Sequence, residues 1–509
     1  MASIHQWIGF TVFLILFLAN DQILSQTANT KITLKRADIM VYNEKVESNA
    51  RRLIGNVVLQ QEDILMYCDS VYFYNIENNI KAFSRVKLIK ADSIKVFSDY
   101  LFHYGEIKRS EFRNNVVLRD NKITIYTDSL NYDFIQNRAY YFNGGKIIDS
   151  TTTLSSETGY YYAGDKLFFF NKNVVVEHEN YRLYTDSLKY EVETGIIRFE
   201  GPTTMVNDTI TLFAKKGWYN TKTKKSNIWD SAQYFSLTQK FIADTILFDR
   251  VTGIGEGFNR IRLTQIKDSI ILSANYARYN QNTGEIYMTK RAFATQIIDG
   301  DSIHLHGKNI FSYQDTIDST VFRKVLIYPQ SQLFGPSIQM RSDSVAVSMK
   351  DSVIQLFNKP IIWLENMQLT ADFIELHISN SDLREVHLYN NALISNQHDS
   401  IHFDQIKGNT IICYLKNRKL ERAKVDRRAE VIYYITDKDR LTSMNNSICR
   451  NISIYFSDDQ IDQVVFHSKP EGKVLPMEEL DKSNMYFRNF KWFDHLRPKK
   501  FEDIFDWKQ

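Results

Sequence analysis

The sequence predicts an all-β chain, an elongated solenoid of tandem two-strand repeats of about 29 residues. Three observations predict it. Tyr126–Asp133 (YTDSLNYD) returns 58 residues later as Tyr184–Glu191 (YTDSLKYE). Windows of the same character begin at 36, 67, 97, 126, 155, 184, 213, 242, 273, 306, 341, 370 and 402, at steps of 29 to 35 residues. The composition has 29 Tyr and 33 Phe against 7 Pro, with aromatic and β-branched residues crowded into short runs broken by Asn, Asp, Gly and Lys, as in strands joined by tight turns.

From the N-terminus, Trp7–Leu18 (WIGFTVFLILFL) is an apolar run followed by Asn20, Asp21 and Gln22. It is shorter than the roughly 20 residues that span a bilayer, which predicts a secretory signal peptide over residues 1–25, cleaved near Ser25 or Gln26. Repeats then fill 26–320. Over 321–340 the register loosens and Tyr328-Pro329 and Gly335-Pro336 interrupt any central strand, so a bend or linker is expected there. Windows resume in a second segment, 341–468, and 469–509 reads as an irregular tail that serves as a cap or a partner-binding segment.

Each repeat has two strand-like halves. In the first half, places 1, 3, 5 and 7 of the window share one face, because side chains alternate with period two. That face carries Tyr67, Val71 and Phe73 in one copy, Phe97 and Leu101 in the next, then Tyr126, Leu130 and Tyr132, then Tyr184, Leu188 and Tyr190, and later Ile246 and Phe248. Aromatic residues at place 7 would stack as an internal ladder. Place 3 is acidic in ten of the thirteen copies, with Lys215, Asn275 and Lys308 the exceptions. The second half opens on Gly or Asn and continues apolar, as in Gly55–Leu59, Asn115–Leu118 and Asn173–Val176. Such a unit buries its apolar face only by stacking on its neighbours. Periodicity leaves open whether the inner face is a filled core, the commoner use of such a face, or a ligand groove.

Charge and motifs exclude several classes. Lys and Arg number 63 against 60 Asp and Glu, mixed along the chain, so there is no basic stripe for nucleic acid. Cys68, Cys413 and Cys449 have no metal spacing; buried free thiols are expected, with a Cys413–Cys449 disulfide as the alternative in an oxidising compartment. The Asp-Ser pair recurs with the repeat, whereas a nucleophile is needed once, so it is structural: an Asp bonding nearby backbone donors where a strand begins. His304 and His306 are expected to be rim histidines rather than metal ligands, and Gly253–Gly257 a turn. No catalytic constellation separates from the repeats, so the chain reads as no enzyme, with no cofactor.

The Ala-Asp-Ser-Leu-x-Tyr-like windows (Arg36–Tyr42, Thr127–Tyr132, Ala243–Phe248), the Gly-Asn-Val-x-Leu-like strands (Gly55–Leu59) and the export signal together resemble the OstA-like family, which is related to the lipopolysaccharide-transport protein LptA and to the N-terminal domain of LptD. The resemblance spans most of residues 30–465. It implies an open β-jellyroll, a trough whose apolar interior holds the lipid A acyl chains of lipopolysaccharide, in the periplasm with outer-membrane association. It also implies partners among the inner- and outer-membrane transport components and head-to-tail self-association through edge strands. On that reading the aromatic and aliphatic residues named above line the lipid groove. The chain is longer than a minimal LptA, and its end lacks the many alternating segments of an LptD-like barrel. A structural or adhesive solenoid with a filled core is the alternative; a sugar-cleaving parallel β-helix would concentrate charge at one site, which this sequence does not do.

Overall fold

The computed structural model describes residues 31–509 except 44–48, 92, 121–122, 150–151, 267–269, 299, 380–381, 417–418, 438–439 and 458–459. The signal-like run Trp7–Leu18 lies outside the described residues. The described residues form 38 strands and three 3-10 turns, with no α-helix among them, so the all-β expectation holds. The ladders are antiparallel, unlike a parallel β-helix. The chain divides into two compact units, Met1–Asn171 and Lys172–Gln509.

The repeat is a hairpin of long strands, such as Ile64–Tyr74 with Asn79–Lys90 and Ile94–Tyr104 with Arg109–Asp120. A left-handed residue closes the turns: Asn78 (φ 54°), Lys108 (48°) and Asn137 (51°) in the first unit, Gly195 (73°), Lys224 (61°) and Gly253 (71°) in the second. Asn and Gly suit that conformation; Lys adopts it at a cost. The carbonyl of each accepts an N–H from the following turn: Gly105 onto Asn78 (2.9 Å), Phe134 onto Lys108 (3.0 Å), Thr221 onto Gly195 (2.8 Å) and Gln281 onto Gly253 (2.8 Å). One main-chain bond therefore ties repeat to repeat, and an inserted residue would break it. This is the physical source of the steady period.

Every long strand is also creased at its middle. On one strand of most pairs two successive residues take left-handed φ, as at Ser84 and Arg85 (62°, 50°), Asn114 and Asn115 (58°, 50°), and Asn259 and Arg260 (56°, 46°). The ladder register shifts at those points. The acidic place 3 sits at this crease, where it bonds the second left-handed side chain across the ladder. Asn56 Nδ2 donates to Asp38 (2.8 Å), Asn115 Nδ2 to Asp99 (2.7 Å), Arg260 Nε to Asp244 (2.7 Å) and Asn391 Nδ2 to Asp372 (2.8 Å). Where place 3 is Lys215, the polarity reverses and the partner is Asp230, at 3.9 Å. The structural reading of Asp-Ser stands, but the partner is a cross-strand side chain rather than nearby backbone.

The crease turns each strand into parts of two walls. In the second unit the strands from Tyr181–Glu191 to Ile270–Asn280 run through both walls. Beyond Asn280 the walls are built from separate strands. One continues through Glu285–Thr289, Asn309–Ile317 and Thr320–Tyr328, the other through Phe293–Ile298, Asp301–His306, Ser331–Phe334 and Ile338–Ser342. Residues 320–342 are thus largely strand, with Pro329 and Pro336 in the connections. The walls rejoin in Asp382–Gln397, whose first part pairs with Phe373–Ser379 and whose last part pairs with Met367–Thr370. Between them lies a continuous core that includes Ile310, Leu356, Ile374, Leu388, Ile411, Val431 and Ile454.

The tail is an ordered strap. It runs back along one wall, where three buried glutamines hold its main chain and a fourth, Gln339, holds the Arg497 side chain. Gln405 accepts from Phe487 N (3.0 Å) and donates to Met485 O (2.8 Å); Gln368 accepts from Phe493 N (2.7 Å) and donates to Lys491 O (2.8 Å). Gln339 accepts from Arg497 Nε (2.7 Å), and Gln332 donates to Asp506 O (2.9 Å). Trp507 ends the strap beneath the Arg341 guanidinium, 3.6 Å from the ring centre.

Candidate functional site

The crease decides which side chains face inward. Because it inserts a bulge between places 1 and 5, alternation restarts partway along the window. Met66 and Cys68 are buried before it and Val71 and Phe73 after it, while Tyr67 points outward. Phe97, Tyr126 and Tyr184 likewise take the outer face; Tyr126 is 40% and Tyr184 44% exposed. The same-face expectation therefore fails for place 1 and holds for places 5 and 7: Val71 and Phe73, Leu101, Leu130 and Tyr132, Leu188 and Tyr190, Ile246 and Phe248. The outward rings carry cations from the paired strand, Lys87 over Tyr67 at 5.6 Å and Arg119 over Phe97 at 5.6 Å.

In the first unit the interior is filled. Leu53, Val71, Ile80, Leu88, Phe112, Leu130 and Tyr132 are sealed from solvent. The polar groups among them pair with one another. His103 Nδ1 meets Ser110 Oγ at 2.8 Å and Nε2 meets Gln61 Oε1 at 2.7 Å; the Tyr132 hydroxyl donates to Asn137 (2.6 Å) and the Tyr161 hydroxyl to Asp120 (2.5 Å). Burial pulls the His103 pKa down to about 4. Val71, Phe73, Leu101, Leu130 and Tyr132 thus pack against protein.

The second unit differs between Tyr181 and Asn280. Along the crease its inner face is closed: the small residues Ala214, Gly217, Ala232, Ala243, Gly257, Ala274 and Ala277 are buried beside Leu188, Phe199, Ile228 and Ile261. At Gly217 a Cβ would meet Cζ of its cross-strand partner Phe199 at 2.5 Å, so the Phe199 ring lies over the bare glycine. Away from the crease many inner residues are only half-buried: Leu183, Met205, Leu212, Phe241 and Leu272 on one wall, where Leu263 is buried, and Tyr190, Ile197, Tyr219, Ile246 and Phe248 on the other. Tyr279, inward-facing opposite the bare Gly255, is 43% exposed. The inner face is thus less deeply covered here than in the first unit, with Leu212, Phe241, Ile246 and Leu272 packed at the edges of buried clusters. Place 7 follows the change: Phe73, Tyr132 and Tyr161 are buried, Tyr190, Tyr219 and Phe248 half-buried, Tyr279 open.

Phenols from the two walls approach each other at the outer ends of the strands. Burial and then the neighbouring Tyr219 push the Tyr181 pKa up; burial and then Tyr279 do the same for Tyr234. The inner face there is apolar, with tyrosine hydroxyls towards the outer ends of the strands. No acid, base or nucleophile stands among these lining residues.

The remaining candidates resolve differently. His304 and His306 lie under the strap, with ring centres 4.4 Å from Phe501 and 4.8 Å from Phe505, so they are covered rather than at a rim. The three cysteines are free and buried; the Cys449 thiol bonds Ser468 O at 2.7 Å. Sequence reasoning missed the crease itself, whose signal is the recurrent pair of non-β-branched residues (SR, NN, KN, DS, NR) midway along alternate strands.

The family model described as OstA-like protein matches residues 29–186 and 171–235. No curated protein matches the chain.

Proposed function

We propose, from the match of residues 29–235 to the OstA-like family model, that the chain is a non-enzymatic lipid-binding protein that carries lipopolysaccharide across the periplasm towards the outer membrane. The observation that carries this reading is the half-buried apolar lining between Tyr181 and Asn280. Acyl chains lie against Leu212, Phe241, Ile246 and Phe248, and the phenols of Tyr181, Tyr219, Tyr234 and Tyr279 meet the sugar headgroup at the mouth. Burying an acyl chain there is favourable at about 25 cal/mol per Å² of apolar surface covered. The first unit, with its interior filled, serves as a scaffold and docking end. Its strand Ile39–Tyr42 pairs with Arg51–Ile54, and its four side chains are exposed, which suits strand addition by a transport component or a second copy.

The test is lipid extraction from the purified chain and from Ile246→Asp, with folding checked by circular dichroism. Lipopolysaccharide in the parent extract and its loss from the folded variant are expected. A folded parent chain free of lipid would leave the structural or adhesive solenoid, which the packed interiors elsewhere in the chain favour.

A further inference from the structure

Strands Phe373–Ser379 and Asp382–Gln397 form a hairpin in which Glu375 stands opposite His387 and His377 opposite Glu385. The sequence writes this as Glu-x-His twice, Glu375-Leu376-His377 and Glu385-Val386-His387. Antiparallel pairing brings the two copies face to face. Leu376 and Val386 point into the core, at 5% and 0% exposure, so the four polar side chains share the outer face.

There the two imidazole rings lie 4.2 Å apart between centres. His387 Nε2 is 2.6 Å from Glu385 Oε2, and His377 Nε2 is 3.5 Å from Glu375 Oε2. One ligand atom from each of Glu375, His377 and His387 lies within 4.8 Å of the others. Two neighbours orient the central carboxylate: Gln355 Nε2 donates to Glu375 Oε1 (3.0 Å) and the Tyr389 hydroxyl to Oε2 (3.1 Å). A purely hydrogen-bonded cluster would use every ring nitrogen. Here His377 Nε2 is closed off from solvent and, beyond its 3.5 Å approach to Glu375, has no hydrogen-bond partner.

We propose that Glu375, His377 and His387, with Glu385 beside them, bind a divalent transition-metal ion of the zinc class. Two neutral imidazoles and a carboxylate are the donor set that zinc takes, and the supporting bonds from Gln355 and Tyr389 are the kind that hold a metal-binding carboxylate in place. Ligands at roughly 2.0–2.1 Å from zinc are about 3.3 Å from one another, so small side-chain rotations close the site. The ion takes one nitrogen of each ring and one Glu375 carboxylate oxygen. It pins the hairpin at the place where the two walls, separate since Asn280, merge into one strand.

The experiment is titration of the full mature chain, first stripped with chelator, with zinc sulfate, read by calorimetry and by thermal midpoint. One zinc per chain is expected, with a higher midpoint. Binding is expected to weaken at least tenfold in His377→Ala, His387→Gln and Glu375→Gln, and to be unchanged in His304→Ala. The altered side chains lie on the outer face, and circular dichroism checks that each variant is folded. Absence of saturable zinc binding at micromolar concentration would overturn the proposal, as would binding that survives intact in the folded His377→Ala, His387→Gln double variant.

Discussion

Replacing Gln405 by Ala should release the middle of the C-terminal strap without unfolding the walls. The Gln405 amide is sealed from solvent, and it accepts from Phe487 N at 3.0 Å while donating to Met485 O at 2.8 Å. Both tail groups lose their partner in the variant. At about 1 kcal/mol net for each hydrogen bond, the strap is destabilised there by about 2 kcal/mol, roughly a 30-fold shift towards the detached state. Hydrogen exchange at the Phe487 amide reads this directly, because local opening sets its rate. The expectation is faster exchange at Phe487 with protection retained in the core amides of Ile411 and Val431. Gln368→Ala should do the same at Phe493, whose N–H it accepts at 2.7 Å. Unchanged protection at both amides would refute the claim that the glutamines hold the strap.

Other outcomes follow from the same packing. Leu130→Ala, in the filled interior, should cost about 2–5 kcal/mol in chemical denaturation, whereas Ile246→Ala, half-buried in the second unit, should cost clearly less. Asn115→Gly should be nearly neutral and Asn115→Val should destabilise by about 1–2 kcal/mol, because Asn115 holds φ 50° at the crease; thermal midpoints distinguish them. The folded-state pKa of His103 is drawn down to about 4 by burial, below its unfolded value. The unfolded chain therefore takes up the proton first. The His103 contribution to stability is fully present above about pH 6.5 and falls as pH drops towards 4, by up to about 3 kcal/mol, and His103→Gln should reduce the slope in pH-dependent denaturation, leaving the part due to His304 and His306.

The period, the two-half repeat and the inner ladder at place 7 were legible because stacking forces each repeat to present the same residue types at the same height. Parity was only half legible. Tyr67, Phe97, Tyr126 and Tyr184 share the aromatic character of inner residues, and nothing in alternation alone reveals that a bulge beside Asp69, Asp99, Asp128 and Asp186 resets the face. The signal was in the partner strand, where pairs such as Asn114-Asn115 tolerate a left-handed turn. Whether an inner residue is covered depends on how far apart the walls stand. Leu130 and Ile246 occupy the same place 5, yet one is sealed and the other half-open. The strap was legible as an irregular tail, but its seat was not, because Gln332, Gln368 and Gln405 read as ordinary polar strand residues until the main chain they bind is placed against them.

Site-specific photo-crosslinking in cells that make lipopolysaccharide tests the central claim most directly. Groups placed at Ile246 and Phe248 should capture lipopolysaccharide, while groups at Tyr126 and Tyr184, on the outer face, and at Leu130, in the filled interior, should not. Lipid captured at none of these positions, or captured equally at Tyr126 and Ile246, would contradict an internal lipid path between the walls.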